Sequence, residues 1–472
     1  MVLAAAALFA FIFLFAIDFF APIQNPYVGI LAYVIAPFFL LLGLALTLLG
    51  AMLHKRAERR TAHLEEKHRV LQIDLSRKRD RRILALFALG TVGFLFLTAL
   101  GSYETYQYTE SVDFCGKRCH VPMEPQFVAA QHTAHAQVAC VQCHVGPGAA
   151  AYFKTKLNGV KQLYHTVLDD FDRPIYVTGE TRPEQEMCLE CHWPNRYVGT
   201  VDRTYQHYLS DEANTPFAVR LLLNVGGGEP ARGPVGGIHW HMNIANKVEY
   251  LATNKDAETI PWVRLTNAQG QTTEYRTDDF KGDPSQQDIR RMDCLDCHSR
   301  PAHQVMAPND SVDVAMAAGR IDPKIPFAKA KVVAALTQPY GSEPEALQAI
   351  ATSLHAAFPD LAQADPLIVE AQTIYRKNFF PEMKTGWRTH PNNIGHKDWN
   401  GCFRCHDGNH KTADGKKTIA ASDCNSCHLI LAQGSGEQLK KLNADGYTFF
   451  HVDSEFSEFS CTTCHTGGPQ LP

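Results

Sequence analysis

Three stretches near the start of the chain are apolar almost throughout: residues 1–20, "MVLAAAALFAFIFLFAIDFF", residues 27–53, and residues 83–101, "ILALFALGTVGFLFLTALG". A helix rises 1.5 Å per residue, so about 20 such residues cross a hydrocarbon core of roughly 30 Å. The second and third runs are long and uncharged and predict membrane-crossing helices. The first contains Asp18, opens at Met1 without a basic flank and lacks a small-x-small cleavage site, so it reads as a third retained span and not as a signal peptide. Between the second and third runs, residues 54–82 carry eleven Lys/Arg against five Asp/Glu. Positively charged loops face the cytoplasm. The N-terminus is therefore expected inside and everything after Gly101 outside. The loop itself reads as a partly amphipathic helix lying on anionic lipid, through Leu64, Val70, Leu71, Ile73 and Leu75.

Beyond residue 101 the pattern changes. "WVRLTNAQGQTTEYR" (262–276) alternates around a turn signal and predicts a β-hairpin. Residues 311–385 are alanine-rich, with helical periodicity in "AKAKVVAALTQ" and "EALQAIATSLHAAF". The remainder predicts short helices and long loops with little sheet.

The cysteines explain why so long a region needs so little regular structure. All fourteen fall in close pairs. Six pairs are C-x-x-C-H: Cys140–Cys143–His144, Cys188–Cys191–His192, Cys294–Cys297–His298, Cys402–Cys405–His406, Cys424–Cys427–His428 and Cys461–Cys464–His465. This spacing lets two thiols reach the two vinyl groups of one porphyrin edge while the next residue swings an imidazole under the iron. The seventh pair, Cys115–Cys119–His120, has one residue more between its cysteines, which a bulged loop can absorb. Zinc sites do not need a histidine after every second cysteine, and a two-residue loop is a poor disulfide staple. The cysteines thus predict seven covalent haems, whose porphyrins are expected to supply much of the core. Covalent haem attachment happens outside the cytoplasm, in agreement with the charge of the 54–82 loop.

Setting aside the seven attachment histidines and three in the basic loop (His54, His63 and His68) leaves twelve as sixth ligands. Paired histidines make low-spin electron carriers. His132 and His135 precede Cys140, His303 closes "CHSRPAH", His410 closes "CHDGNH", and His451 leads into the last motif. "GIHWH" puts His239 and His241 beside glycines that allow close backbone approach, so that at least one ligates. His165, His390 and His396 complete the candidate set. His207 and His355 have no such setting and read as ordinary polar residues. Residues 102–472 carry 34 Lys/Arg against 43 Asp/Glu, a balance that suits a basic soluble cytochrome or simply a solvated surface, and does not suit nucleic acid.

"CGKRCHVPMEPQFVAAQHTAHAQVACVQCHVGPGAAAYFKTKLNGVKQLYHT" (115–166) resembles the core of the NapC/NirT/NrfH membrane quinol dehydrogenases. "NPYVGILAYVIAP" resembles longer members with extra spans, and the architecture is similar to the three-span, seven-haem, quinol-oxidising inner-membrane cytochromes of metal-reducing bacteria. "HPNNIGHKDWNGCFRCHDGNH" (390–410) resembles a block common in long multihaem cytochromes. The resemblance implies that the first haem takes a methionine as an axial ligand and abuts a quinol site. Met123 stands near that methionine's place but one residue further from His120, so both Met123 and His120 are candidates for the iron; Met123 also reads as a core filler. The NrfH branch has a lysine and an aspartate flanking the quinol. Aligning on Tyr152 and Gly159 puts Ala151 at the lysine position and Asn158 at the aspartate position. Lys154 or Lys156 is then the candidate cation, and Glu104, Glu110 or a haem propionate the candidate proton acceptor. Tyr103, Tyr106, Tyr108 and Tyr152 read as an interfacial belt or as walls of the quinol site.

The expectation is a mainly α protein: three transmembrane helices plus a haem-rich extracytoplasmic multihaem cytochrome c domain with long loops and a small β-hairpin. Its divisions are a membrane anchor (1–101), a NapC/NrfH-like domain with three haems (102–200), a Gly-rich and β-hairpin insertion with the fourth (201–300), a helical linker (301–390) and a C-terminal triheme segment (391–472). The implied activity is oxidation of menaquinol in the bacterial inner membrane, with electrons passed to a periplasmic c-type cytochrome or other redox partner. The alternatives are an electron-relay subunit held by other membrane subunits, without its own quinone site, and a terminal reductase with an open haem. The second is disfavoured by the plentiful histidines.

Overall fold

The computed structural model describes residues 6–10, 13, 35–60, 75–118, 120–145, 148–176, 184–192, 199–226, 236–242, 246–285, 288–359, 364–420, 424–452 and 461–465. They belong to two units. One is Met1–Cys119 with Ala139–Asp170, and the other is His120–Val138 with Phe171–Pro472.

In the first unit, helix α1 (Ala36–Arg60) carries residues 36–53 of the second apolar run and helix α2 (Lys78–Thr109) carries the whole of the third. Neither ends where its apolar run ends. α1 continues through "HKRAERR", and α2 begins in "KRDRR" and finishes in "SYETYQYT". Lys, Arg and Glu are good helix formers, so hydropathy does not set the helix limits. Among the described residues no helix is long and apolar enough to cross a membrane, which overturns the expectation of three transmembrane helices. Most of the first run, residues 27–34 of the second and residues 61–74 of the basic loop lie outside the described residues. Large apolar side chains stand exposed on α1 (Phe38, Leu41, Leu48) and on α2 (Leu86, Leu89, Val92). After α2, Phe114–Arg118 forms a π-helical turn. A π turn takes one residue more than an α turn, and it falls where the first cysteine pair has its extra residue. Helix α3 (Ala149–Val167) completes this unit.

The second unit overturns the expectation of little sheet. Among the described residues its strands are β1 (Val201–Tyr208), β2 (Pro216–Leu223), β3 (Lys247–Leu251), β4 (Trp262–Thr266), β5 (Thr272–Arg276), β6 (Ile289–Arg291) and β7 (His428–Gly434). They form two antiparallel sheets, in the orders β1-β2-β7 and β5-β4-β3-β6. The alternating stretch 262–276 folds as β4 and β5, closed by Asn267, whose side chain accepts from the Gln269 and Gln271 N–H groups. The other sheet escaped sequence reading because β7 starts on the attachment histidine His428, which pairs with the distant Leu223. Where β2 ends, Asn224 and Val225 receive the turn that carries His239 and His241, through Ile238 N–H to Asn224 O and His239 N–H to Val225 O. The approach requires glycine. A Cβ on Gly226 (φ +46°) would meet Gly236 O at 2.0 Å, and one on Gly237 (φ +72°) would meet Asn224 O at 2.5 Å.

Helices α4 (Pro308–Ala317), α5 (Ala328–Leu336), α6 (Glu343–Ala357) and α7 (Ala364–Asn378) pack around Val312, Val332, Leu336, Ile350, Leu354 and Leu367. α5 and α6 fall on the two helical patches of the sequence. Ser342 caps α6 by accepting from Glu345 N–H. Here the core is made of ordinary side chains. The β1–β2 turn is pinned to these helices by Asn214, whose amide donates to Pro323 O and Ile325 O and accepts from Lys329 N–H.

Candidate haem centres and quinol pocket

Four of the C-x-x-C-H motifs close a tight turn in which the histidine N–H donates to the first cysteine's carbonyl: His192 to Cys188 (2.8 Å), His298 to Cys294 (2.9 Å), His406 to Cys402 (3.0 Å) and His465 to Cys461 (2.7 Å). The turn gathers both sulfurs and aims the imidazole. At Cys294–Asp296 it is reinforced by a capping box, with Asp293 Oδ1 accepting from Cys294 N–H and Asp296 Oδ2 from Asp293 N–H.

Five attachment histidines face a second histidine. Ring centres are 5.9 Å apart for His192 and His135, 6.3 Å for His298 and His239, 5.8 Å for His406 and His241, 6.2 Å for His428 and His396, and 6.1 Å for His465 and His451. Two imidazoles on one iron, with bonds of about 2 Å on each side, have ring centres about 6 Å apart. The haem therefore fits these residues. The ring nitrogens agree. His135, His239, His241 and His406 each place Nδ1 on a backbone carbonyl (Pro301, Val225, Ile238 and Ala420). A carbonyl only accepts, so Nδ1 carries the hydrogen and Nε2 is left for a metal. Burial lowers the proton affinity of His144, His239, His298, His396, His406, His428 and His465, favouring the neutral, ligating form. Nδ1 of His396 and of His428 is buried without a hydrogen-bond partner.

The other candidates are placed differently. His303 has the same signature, with Nδ1 on Gln126 O at 3.0 Å. His390 meets Tyr176 edge-on and has a buried Nε2 without a partner. His410 is bonded at both nitrogens, to Asp407 Oδ1 at 2.8 Å and Ile260 O at 2.7 Å, which leaves no site for a metal. His165 Nδ1 lies 3.5 Å from Asp170 Oδ2. Burial, then Lys377, lowers the proton affinity of His132. Met123 is half-buried on the helix His120–Ala130. Cys119 and the side chains of His120, Cys424 and Cys464 lie outside the described residues. Of the two histidines read as ordinary, His207 bonds Asp313 and His355 lies 3.8 Å from Asp365.

In the first unit, α3 presents Tyr152 and Lys156 one turn apart on one face, while Lys154 and Asn158 point to solvent. Lys156 Nζ lies 2.6 Å from Glu110 Oε1, donates to Thr109 O at 3.0 Å, and stands 5.0 Å from the centre of the Tyr152 ring. Tyr106 packs against Tyr152 at 5.8 Å. The Lys156 and Glu110 charges both bear on the Cys115 thiol, which shares a hydrogen bond with Cys140. Glu110 is thus the acidic partner that the α3 sequence lacks, and it comes from the end of α2. The side chain of Glu104, the other acid weighed in the sequence, lies outside the described residues.

Residues 77–180 match the NapC/NirT cytochrome c family, N-terminal region. Over nearly its whole length the chain is similar to the cytochrome c-type protein ImcH of Geobacter sulfurreducens, with 36% identity over 480 residues that cover 98% of this chain and 92% of the relative. No solved structure matches the chain.

Proposed function

The chain belongs to the NapC/NirT family of cytochromes c, membrane-associated multihaem proteins of electron transfer, and from that premise we propose that it is a seven-haem menaquinol dehydrogenase. Menaquinol is oxidised beside the first attachment site, and the electrons leave for a periplasmic c-type cytochrome or another redox carrier. Bound haem c supplies one-electron carriage. The observation that carries the reading is the Lys156–Glu110 pair against Tyr106 and Tyr152, next to Cys115. A quinol gives up two protons with its two electrons, so an acceptor must stand within hydrogen-bond reach of its hydroxyl. Glu110 Oε1 is suited to this. That oxygen is buried and lies 2.6 Å from Lys156 Nζ. Lys156 holds the carboxylate in place and offers positive charge to the quinol oxygen, and the two tyrosines flank the ring.

In this reading the haem-bearing region is periplasmic, the basic stretch 54–82 faces the cytoplasm, and the apolar N-terminal region associates with the inner membrane. The exposed apolar faces of α1 and α2 suit such a neighbour. They also favour a second reading, an electron-relay subunit that packs on other membrane subunits and has no quinone site. Adding a reduced menaquinol analogue to the detergent-solubilised protein and following the haem α-band separates the two. A quinol dehydrogenase is reduced quickly, and Glu110→Gln and Lys156→Met slow that step by about 10²-fold while dithionite still reduces every haem. Full reduction by dithionite with none by quinol leaves the relay subunit.

A further inference from the structure

The segment Asn400–His406 touches two other attachment loops and the histidine that faces a third. Arg404 Nη2 donates to Asp296 O at 2.5 Å, inside the Cys294–Cys297 loop, and Nη1 donates to Ala257 O at 3.0 Å. Phe403 lies on the His396 ring at 4.4 Å, and His396 faces His428. Asn400 Oδ1 accepts from Thr462 Oγ1 at 3.3 Å, between Cys461 and Cys464. On the side of Cys294, His239 and His241 share one short helical turn, Ile238–Met242, yet face different attachment histidines, His298 and His406. Further back, the short helix Glu184–Leu189, which carries Cys188, packs on the Cys294–Asp296 turn.

Resting on the haem sites proposed above, the geometry points to Cys402–Cys405–His406 as a three-way junction: electrons arriving from the Cys294–Cys297 site leave either toward Cys424–Cys427 or toward Cys461–Cys464. Each transfer moves one electron, oxidising a ferrous donor and reducing a ferric acceptor, with no proton and no co-reactant. Phe403 and Arg404 are positioning residues in this arrangement. One side chain spans to the branch at His396 and the other holds the incoming loop. The protein then has two outlets that can serve two redox partners.

The junction also carries its own spectroscopic mark. The His241 and His406 rings cross at 86°, the steepest of the five facing pairs, against 62° for His135 and His192, 61° for His451 and His465, 26° for His396 and His428 and 6° for His239 and His298. Crossed imidazoles leave the two iron π orbitals nearly degenerate and give a strongly anisotropic low-field EPR signal. Near-parallel rings separate the orbitals and give a rhombic one. The test uses the full-length protein in detergent and no quinol, so that it does not depend on the quinol pocket. In three variants, His241→Met, His396→Met and His451→Met, methionine raises the potential of one site, and the first electron titrated in with dithionite is held there. A reduced haem is diamagnetic, so the EPR relaxation of its ferric neighbours changes. A junction predicts that His241→Met alters three neighbouring signals. It also predicts that His396→Met and His451→Met each alter the same low-field signal and leave each other's site unchanged. A linear wire gives two altered signals in the first variant and lets only one of the other two act on the low-field signal, which overturns the proposal. Haem mass shows whether His241→Met retains its haem. If it does not, the other two variants still decide.

Discussion

Residues 308–378 and residues 388–465 follow one another along the chain and are held in place by different means. The first stretch folds as α4–α7 around fully buried Val312, Leu336, Ile350 and Leu354. The second buries little of its own apolar surface, mainly Ile430 and Ala432, and its histidines face rings about as far apart as two ligands on one iron. Hydrophobic burial is non-directional and roughly proportional to area, so the helical stretch can be assembled from sequence periodicity alone. The haem stretch is assembled around groups that the amino-acid sequence does not contain.

Removing those groups gives the largest expected effect. In protein produced without haem attachment, amides of α4–α7 stay protected from hydrogen exchange, while those of 400–406 and 461–465 exchange like an unfolded chain. Exchange followed by mass spectrometry checks this peptide by peptide. Equal loss of protection in both stretches would mean that the helical core also depends on haem.

The helical stretch has one internal weak point. Lys329 and Asp313 are buried together at 2.6 Å, with Lys329 also donating to Tyr208 O, and Asp313 accepting from Tyr208 N–H and bonding His207. Lys329→Met strands the carboxylate and is expected to cost about 3–5 kcal/mol, read as a lower denaturant midpoint for helical circular dichroism. The added change Asp313→Asn recovers part of the loss. An unchanged midpoint would show that the pair contributes nothing to holding β1 against α4 and α5.

The same contrast governs what the sequence disclosed. Apolar periodicity revealed α5 and α6, and alternation revealed β4 and β5, because these elements bury side chains close in sequence. The attachment turns were legible from their cysteines. The distal histidines were in the candidate set, but their pairing was not legible. His135 stands five residues before Cys140 yet faces His192, because a second axial ligand must reach the opposite face of a porphyrin and comes from another part of the chain. The same is true of the β2–β7 pairing. Lys154 and Lys156 were equal candidates from the family resemblance. The helical turn that sets Lys156 on the Tyr152 face separates them, and Glu110 joins them only in three dimensions. The apolar runs failed for the opposite reason. They invited a membrane reading from hydropathy, whereas the helices that form take in charged residues at their ends.

The smallest expected effect lies at His390, at the start of the haem stretch. Burial, then Arg300 and Lys255, holds its proton affinity down at about 4, against an ordinary 6.5. In the unfolded chain His390 takes a proton as pH falls through 6.5, whereas in the folded protein it stays neutral until about 4. Its contribution to stability is therefore complete above the unfolded value and is lost as pH falls through this window, by no more than about 1.4 kcal/mol per pH unit. His390→Phe is expected to flatten that part of the stability profile of the loaded protein, measured by denaturant titration at several pH values. The haem spectrum of the same variant decides what the histidine is. An unchanged spectrum makes it a neutral residue lining the pocket formed with Arg300, Gln304 and Asn392. A shifted spectrum assigns its partnerless Nε2 to an iron and adds His390 to the residues whose place in the fold is set by haem.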